Sequence, residues 1–70
     1  MHRDTSSKRL GVNLKELRLK KKMSQGDISR KLGVDRAYIS SIENGRMNPT
    51  LTTLEKLAEA IGVSTQDLVK

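Results

Sequence analysis

Three residues, Gly33-Val34-Asp35, are all that separates two short stretches of helical spacing in this chain. The first stretch carries Ile28 and Leu32 one turn apart, and the second carries Ile39 and Ile42. In each, the apolar residues share one face at about 100° per residue. A connection this short, opening on glycine, forces the two helices to cross sharply. Ser29 is small and lies inside the first of them, which leaves room for Val34 and Ile39 to pack. Ser24 followed by Asp27 predicts a capping box at the start of that first helix. Asp35 is a favourable N-cap for the next one, and Gly45 suits the left-handed residue beyond its end.

The rest of the chain is helical in period, and no stretch alternates as a strand. Residues 1–7 are polar and read as a flexible N-terminal tail, followed by one domain over 8–70. A helix is expected from about Lys8 to Lys22, with Leu10, Leu14 and Leu17 on its inner face. Leu19 does not fit that stripe. Lys20, Lys21 and Lys22 close the helix where cations meet the negative end of its dipole. Residues 46–49 form a loop, because Pro49 disfavours helix at the residue before it. Thr50 caps a fourth helix with Leu51, Leu54, Leu57, Ala58 and Ile61 as its apolar face, ended by Gly62. Ser64, with Asp67 three residues on, caps a last short helix carrying Leu68 and Val69. The expected fold is therefore all-α, a compact five-helix bundle with the sharp crossing at about residues 24–44.

Seventy residues make one small domain, which buries roughly 60% of its unfolded surface. The chain has no cysteine, hence no disulfide framework and no thiolate metal site. No apolar run approaches the ~20 residues of a membrane span, so a cytoplasmic location is the default. Fourteen Lys and Arg against eight Asp and Glu leave a net charge of +6. The excess is uneven: residues 1–46 hold twelve bases and five acids, while residues 47–70 are slightly acidic. A basic front on a neutral back suits a polyanion, with counterion release supplying affinity. Tyr38 is the only aromatic residue, whereas single-strand binders stack bases on several rings. Double-stranded DNA is the favoured partner.

The third helix carries the chemistry. Tyr38, Ile39 and Ile42 fall on one side; Arg36, Ala37, Ser40, Ser41 and Asn44 fall on the other. A solvent face would favour the better helix formers Glu, Lys, Gln and Arg over Ser and Asn. This face is short-chained, so another surface can approach it. In a helix-turn-helix the second helix lies against the major groove, which makes residues 35–44 the recognition helix. Arg36 sits near a helix N-terminus, where a cation is disfavoured, and bidentate bonding to guanine O6 and N7 supplies a reason for it. Ala37 is either filler or a contact for a thymine methyl. Ser40 and Ser41 act through their lack of bulk, with one touching a base or phosphate. Asp35 is chiefly a cap. Tyr38 either packs at the domain edge or offers its hydroxyl to a phosphate.

Met23 to Ser64, MSQGDISRKLGVDRAYISSIENGRMNPTLTTLEKLAEAIGVS, resembles the Cro/C1-type (XRE, lambda-repressor-like) helix-turn-helix domain. The likeness extends back through Leu14–Arg18, LKELR. It rests on S-Q, then L-G-V, then Y-I-S-x-I-E-N-G and N-P-T-L in that order. The resemblance implies a five-helix lambda-repressor-like fold, a homodimer and sequence-specific binding to a palindromic operator, as a repressor or controller. It implies that Gln25 contacts a phosphate, that Arg36, Ala37 and Ser41 read bases with Asp35 and Ser40 at the margin, and that Asn44 and Arg46 meet the DNA backbone. It also implies an ion pair between Arg18 and Glu43. DRAYISSIE is similar to restriction–modification controller proteins.

Other chemistry finds little support. His2 is a lone residue in a tail and indicates neither metal nor catalysis. The carboxylates Asp27, Asp67, Glu55 and Glu59 are accounted for by caps and solvent faces. No nucleophile–base pair or metal cluster is present, so a non-enzyme without cofactor is expected. The alternative from a different class is an antitoxin or protein-interaction module, with a protein partner and secondary DNA binding. The dimer contact is expected near the end of the chain, away from the basic surface. Ile61 and Leu68 read mainly as core there, with Val69 and then Val63 as interface residues.

Overall fold

The connection of residues 33–35 joins helix α2 (Gln25–Leu32) to helix α3 (Arg36–Glu43). Gly33 takes a left-handed conformation there, with φ 73°. The N–H groups of Gly33 and Val34 both donate to the Ser29 carbonyl, at 2.8 and 3.0 Å. That pair of hydrogen bonds closes α2 and turns the chain at once into α3. The structure, a computed structural model, describes residues 5–70. Helix α1 (Thr5–Lys20) precedes this pair, and α4 (Leu51–Ile61) and α5 (Thr65–Val69) follow it. There is no strand among the described residues.

Each helix supplies one or more buried side chains to a single core. Leu10 and Leu14 come from α1, Ile28 from α2, and Ile39 and Ile42 from α3. Leu57, Ala58 and Ile61 come from α4, and Leu68 from α5. Burying each large member contributes about 1.5–3 kcal/mol. Helix α1 packs against α3 and α5, and α2 packs against α3 and α4. The α2–α3 unit is therefore gripped from both sides, and the outer face of α3 is left open.

Local capping follows the sequence closely. Ser24 with Asp27 and Ser64 with Asp67 form complete capping boxes, and the Thr50 hydroxyl accepts from the Thr53 N–H. Asp35 differs. It occupies the N-cap position of α3, yet its side chain makes no capping hydrogen bond.

Three further features depart from expectation. Helix α1 begins at Thr5, so Ser6 and Ser7 are helical rather than part of a tail; residues 1–4 of that expected tail lie outside the described residues. The Ser7 hydroxyl donates to Asn48 Oδ1 at 2.5 Å, fastening this early turn to the loop after α3. At its other end α1 stops at Lys20, and Lys22 adopts a left-handed φ of 59°. Met23 N–H then donates to the Arg18 carbonyl, so chain reversal ends the helix before the lysine run does. Leu51, expected on the buried face of α4, is 68% exposed. It occupies the first position of α4, where the helix has not yet reached the core. Leu19 lies with Val12 on the exposed outer side of α1.

Gly11 fixes how closely α1 approaches α3. A Cβ at this buried position would stand 2.4 Å from the Glu43 carbonyl oxygen and 2.6 Å from that of Ile42. Neither backbone oxygen can retreat without moving the last turn of α3. Gly11→Ala should therefore cost about 2–3 kcal/mol, at the upper end for overpacking, and lower Tm by about 10–20 °C for a domain this size. Thermal unfolding followed by circular dichroism checks this; an unchanged Tm would show that the two helices part freely.

The capping boxes also set a pH response. The Asp27 carboxyl is held below its ordinary value by the Ser24 backbone N–H, then by the Ser24 side chain and Arg30. The Asp67 carboxyl is lowered in the same way by the Ser64 backbone N–H, the Ser64 side chain and Lys70. The folded chain thus binds fewer protons than the unfolded one, so this stabilisation is complete above about pH 4 and is lost as pH falls through the lowered values. Replacing both residues (Asp27→Asn with Asp67→Asn) should flatten the acid limb of the stability–pH curve between about pH 2 and 5. Urea unfolding across that range is the measurement.

Candidate nucleic-acid interface

Helix α3 divides cleanly into two sides. Ile39 and Ile42 are fully buried, while Arg36 and Ala37 are exposed and Ser40 and Ser41 are half-buried. Tyr38 is half-buried and packs against the core cluster at its edge. The outer side therefore carries one long cation at its start and small groups after it. Asn44 caps the end of the helix, exposed, and its amide donates to the Ser40 hydroxyl at 3.3 Å. Gly45, at φ 73°, lies against Lys8 of α1, and exposed Arg46 follows it. Lys8, Asn44 and Arg46 thus collect where α1 meets the end of α3.

A second group of basic and polar residues lies at the start of α2. A cleft of about 420 Å³ is lined by Arg18, Ser24, Gln25, Gly26, Arg30 and Arg36. Arg30 was not singled out by sequence, because a single arginine on a helix face carries no signal; here it pairs with Asp27 at 2.6 Å and borders Arg36 across the cleft. The amide protons of a first helical turn have no intrahelical acceptor, and the dipole makes such an end favourable to anions.

Glu43 ties these parts together. Its carboxylate accepts from Arg18 Nε at 2.6 Å and from the second Arg18 nitrogen at 3.0 Å. It also accepts from the Gln25 amide at 3.0 Å. Arg18 donates further to the Met23 carbonyl at 2.9 Å. The two side chains are only 8% and 4% exposed. Gln25 is therefore tethered rather than free on the surface, with one of its two amide protons taken by Glu43.

On α5, Val69 is 48% exposed. Val63 is half-buried against the core, and Ile61 and Leu68 are buried within it. Asn13 of α1 donates to the Leu68 carbonyl at 2.8 Å, which docks α5. Among the described residues no group of His, Cys, Asp and Glu is placed to hold a metal ion, and no helix is long and apolar enough to cross a membrane.

Two helices crossing over a three-residue turn, with the second held outward by a surrounding shell, define a helix-turn-helix protein. The chain belongs to the XRE-type helix-turn-helix family, whose model matches residues 14–68. It is 44% identical over 62 residues to the uncharacterized HTH-type transcriptional regulator y4dJ of Sinorhizobium fredii, covering 89% of this chain and 80% of that protein. Its fold superposes on the restriction–modification controller protein C.AhdI of Aeromonas hydrophila with a TM-score of 0.84 and 34% identity, over 89% of this chain and 94% of that one. The controller protein C.Esp1396I, a tetramer in complex with its natural 35 base-pair operator, gives a TM-score of 0.79 at 30% identity, over 94% and 97% of the two chains. The chain spans less of two longer relatives, 57% and 42% of their lengths.

The buried Arg18–Glu43 pair makes a direct prediction. Glu43→Gln leaves the Arg18 charge buried without its counter-ion and should cost about 3–5 kcal/mol. Adding Arg18→Met should recover part of that loss, since the uncompensated charge is then gone. Chemical denaturation of the two variants measures both steps; an unchanged midpoint for Glu43→Gln would show that the pair contributes nothing.

Proposed function

We propose that this protein is a small transcriptional regulator of the controller or repressor kind, binding a palindromic duplex operator as a homodimer with α3 in the major groove. The observation that carries this reading is the outer face of α3, open to approach and short-chained behind a single arginine. The operator complex of the similar protein C.Esp1396I supports it. The protein acts in the cytoplasm by binding alone, without catalysis.

On this reading Arg36 reads a guanine through O6 and N7, and Ala37 lies against a neighbouring base edge. Ser41 and Ser40 keep the middle of the helix close to the groove floor. The first turn of α2 receives a phosphate, and Gln25 donates to it the amide proton that Glu43 leaves free. Asn44 and Arg46 hold the backbone on the other side of the groove, and Tyr38 offers its hydroxyl to a phosphate from the domain edge. Selection from a random duplex pool tests the reading. A palindromic preference with half-sites about 34 Å apart supports it, and no enrichment over the starting pool contradicts it.

Arg36 and Arg46 should separate in their effects. Arg36→Ala should cost about 1–3 kcal/mol on the preferred operator and flatten preference at one base pair. Arg46→Ala should weaken all duplexes alike and lower the salt slope by about one. Titrations of each variant on preferred and random duplex, at several salt concentrations, distinguish them.

The two-fold contact is placed at α5 and the turn before it, through Val69 and Val63. Val69→Asp should sediment as a folded monomer and bind the full operator far more weakly than the parent. A parent protein that stays monomeric at high micromolar concentration, with and without DNA, would remove the dimer from this account.

A further inference from the structure

Three carboxylates border the α2–α3 unit, and two of them are fully engaged. Asp27 accepts from the Ser24 N–H at 2.8 Å and from Arg30 at 2.6 Å. Glu43 is held by Arg18 and Gln25. Asp35 is the third. It is exposed at the tip of α3, makes no capping hydrogen bond, and has no ion pair among the described residues. Its backbone has extended N-cap geometry, φ −70° and ψ 147°, like that of Ser24 and Ser64, whose side chains do cap. The side chain therefore gives up the hydrogen bond its position offers. A free carboxylate on the face presented to a polyanion also raises the cost of every non-specific encounter.

We infer that Asp35 is a specificity-determining residue whose carboxylate accepts a hydrogen bond from the N4 amino group of a cytosine in the major groove, next to the guanine read by Arg36. The inference rests on the proposed placement of α3 and deepens it. The N-terminal residues of a recognition helix are those that reach base edges, and Asp35 stands there immediately before Arg36. The bases divide by their groove edges. Guanine and thymine present acceptors that repel a carboxylate. Adenine presents a donor beside the N7 acceptor, and cytosine presents the N4 donor without a competing lone pair. Cytosine is thus the base a short carboxylate accepts best. Arg36 and Asp35 together read a step in which a guanine and a cytosine adjoin, and each rejects what the other accepts.

The test compares the parent protein with Asp35→Ala and Asp35→Ser, in selection from a random duplex pool and then in titration. Serine keeps a capping oxygen, so a loss shared by both variants cannot come from fraying of α3. The inference predicts that both variants lose preference for one C·G pair beside the position assigned to Arg36. It also predicts binding to the preferred duplex weaker by about five-fold to a hundred-fold, and tighter binding to random duplex because a negative charge is gone. An unchanged preferred sequence, with affinity rising equally on every duplex, would overturn it and leave Asp35 as a helix-end charge. A parent protein that enriches no sequence would instead overturn the proposed function itself, so the two failures are distinct.

Discussion

The carboxylate of Glu43 holds three helices at once. It lies on the last turn of α3, accepts two of the three hydrogen bonds of the Arg18 guanidinium from α1, and accepts the Gln25 amide at the first turn of α2. The arginine in turn bonds the Met23 carbonyl where the chain leaves α1 for α2. Such a cluster is costly to desolvate and adds little net stability over an apolar equivalent. Its contribution is geometric. Hydrophobic contacts among Leu14, Ile28 and Ile42 tolerate sliding, whereas a bidentate pair permits one arrangement. The angle at which α3 faces outward, and the place of Gln25 beside it, follow from that arrangement.

The close approach at Gly11 works with this cluster. It lets the backbone of α1 touch the carbonyls of Ile42 and Glu43, so the end of α3 is pinned by its main chain as well as its side chain. Lys8 and Arg46 are brought together by the same packing. Charge and packing then divide the molecule. The outer face of α3 and the loop after it carry Arg36 and Arg46, while α4 and α5 carry Glu55, Glu59, Asp67 and the exposed Val69. On the proposed reading a polyanion meets the first side, and a second copy of the chain meets the other.

Much of this was legible in the sequence because it is local. The capping residues Ser24, Thr50 and Ser64, and the left-handed Gly33, Gly45 and Gly62, follow from patterns spanning a few residues. The alternation of core and outer positions in α3 follows from its period. Arg18 and Glu43 lie 25 residues apart, so no local pattern pairs them; the expectation rests on the family resemblance, with Glu43's place between the two faces of its helix beside it. Three features needed the folded chain. Residue types permit Asp35 to cap, but not whether its carboxylate turns inward. Leu51 reads as one more apolar position, although the first leucine of α4 packed against the core is Leu54, three residues on. Gly11, a glycine inside a strong helical pattern, signals close backbone approach, but that the approach is to the end of α3 needs the folded chain. For the proposed interface, the sequence shows the short-chained face of α3 and its small residues, whereas the tethering of Gln25 and the cleft shared by Arg30 and Arg36 arise from tertiary packing.

The central claim is that one face, built from the start of α2, α3 and the loop after it, receives duplex DNA. Amide chemical-shift mapping of the protein with its selected duplex tests that claim most directly. The account predicts large shifts at residues 24–27 and 35–46, and quiet amides through the second half of α4. Shifts concentrated on α4 and α5, with α3 undisturbed, would contradict it.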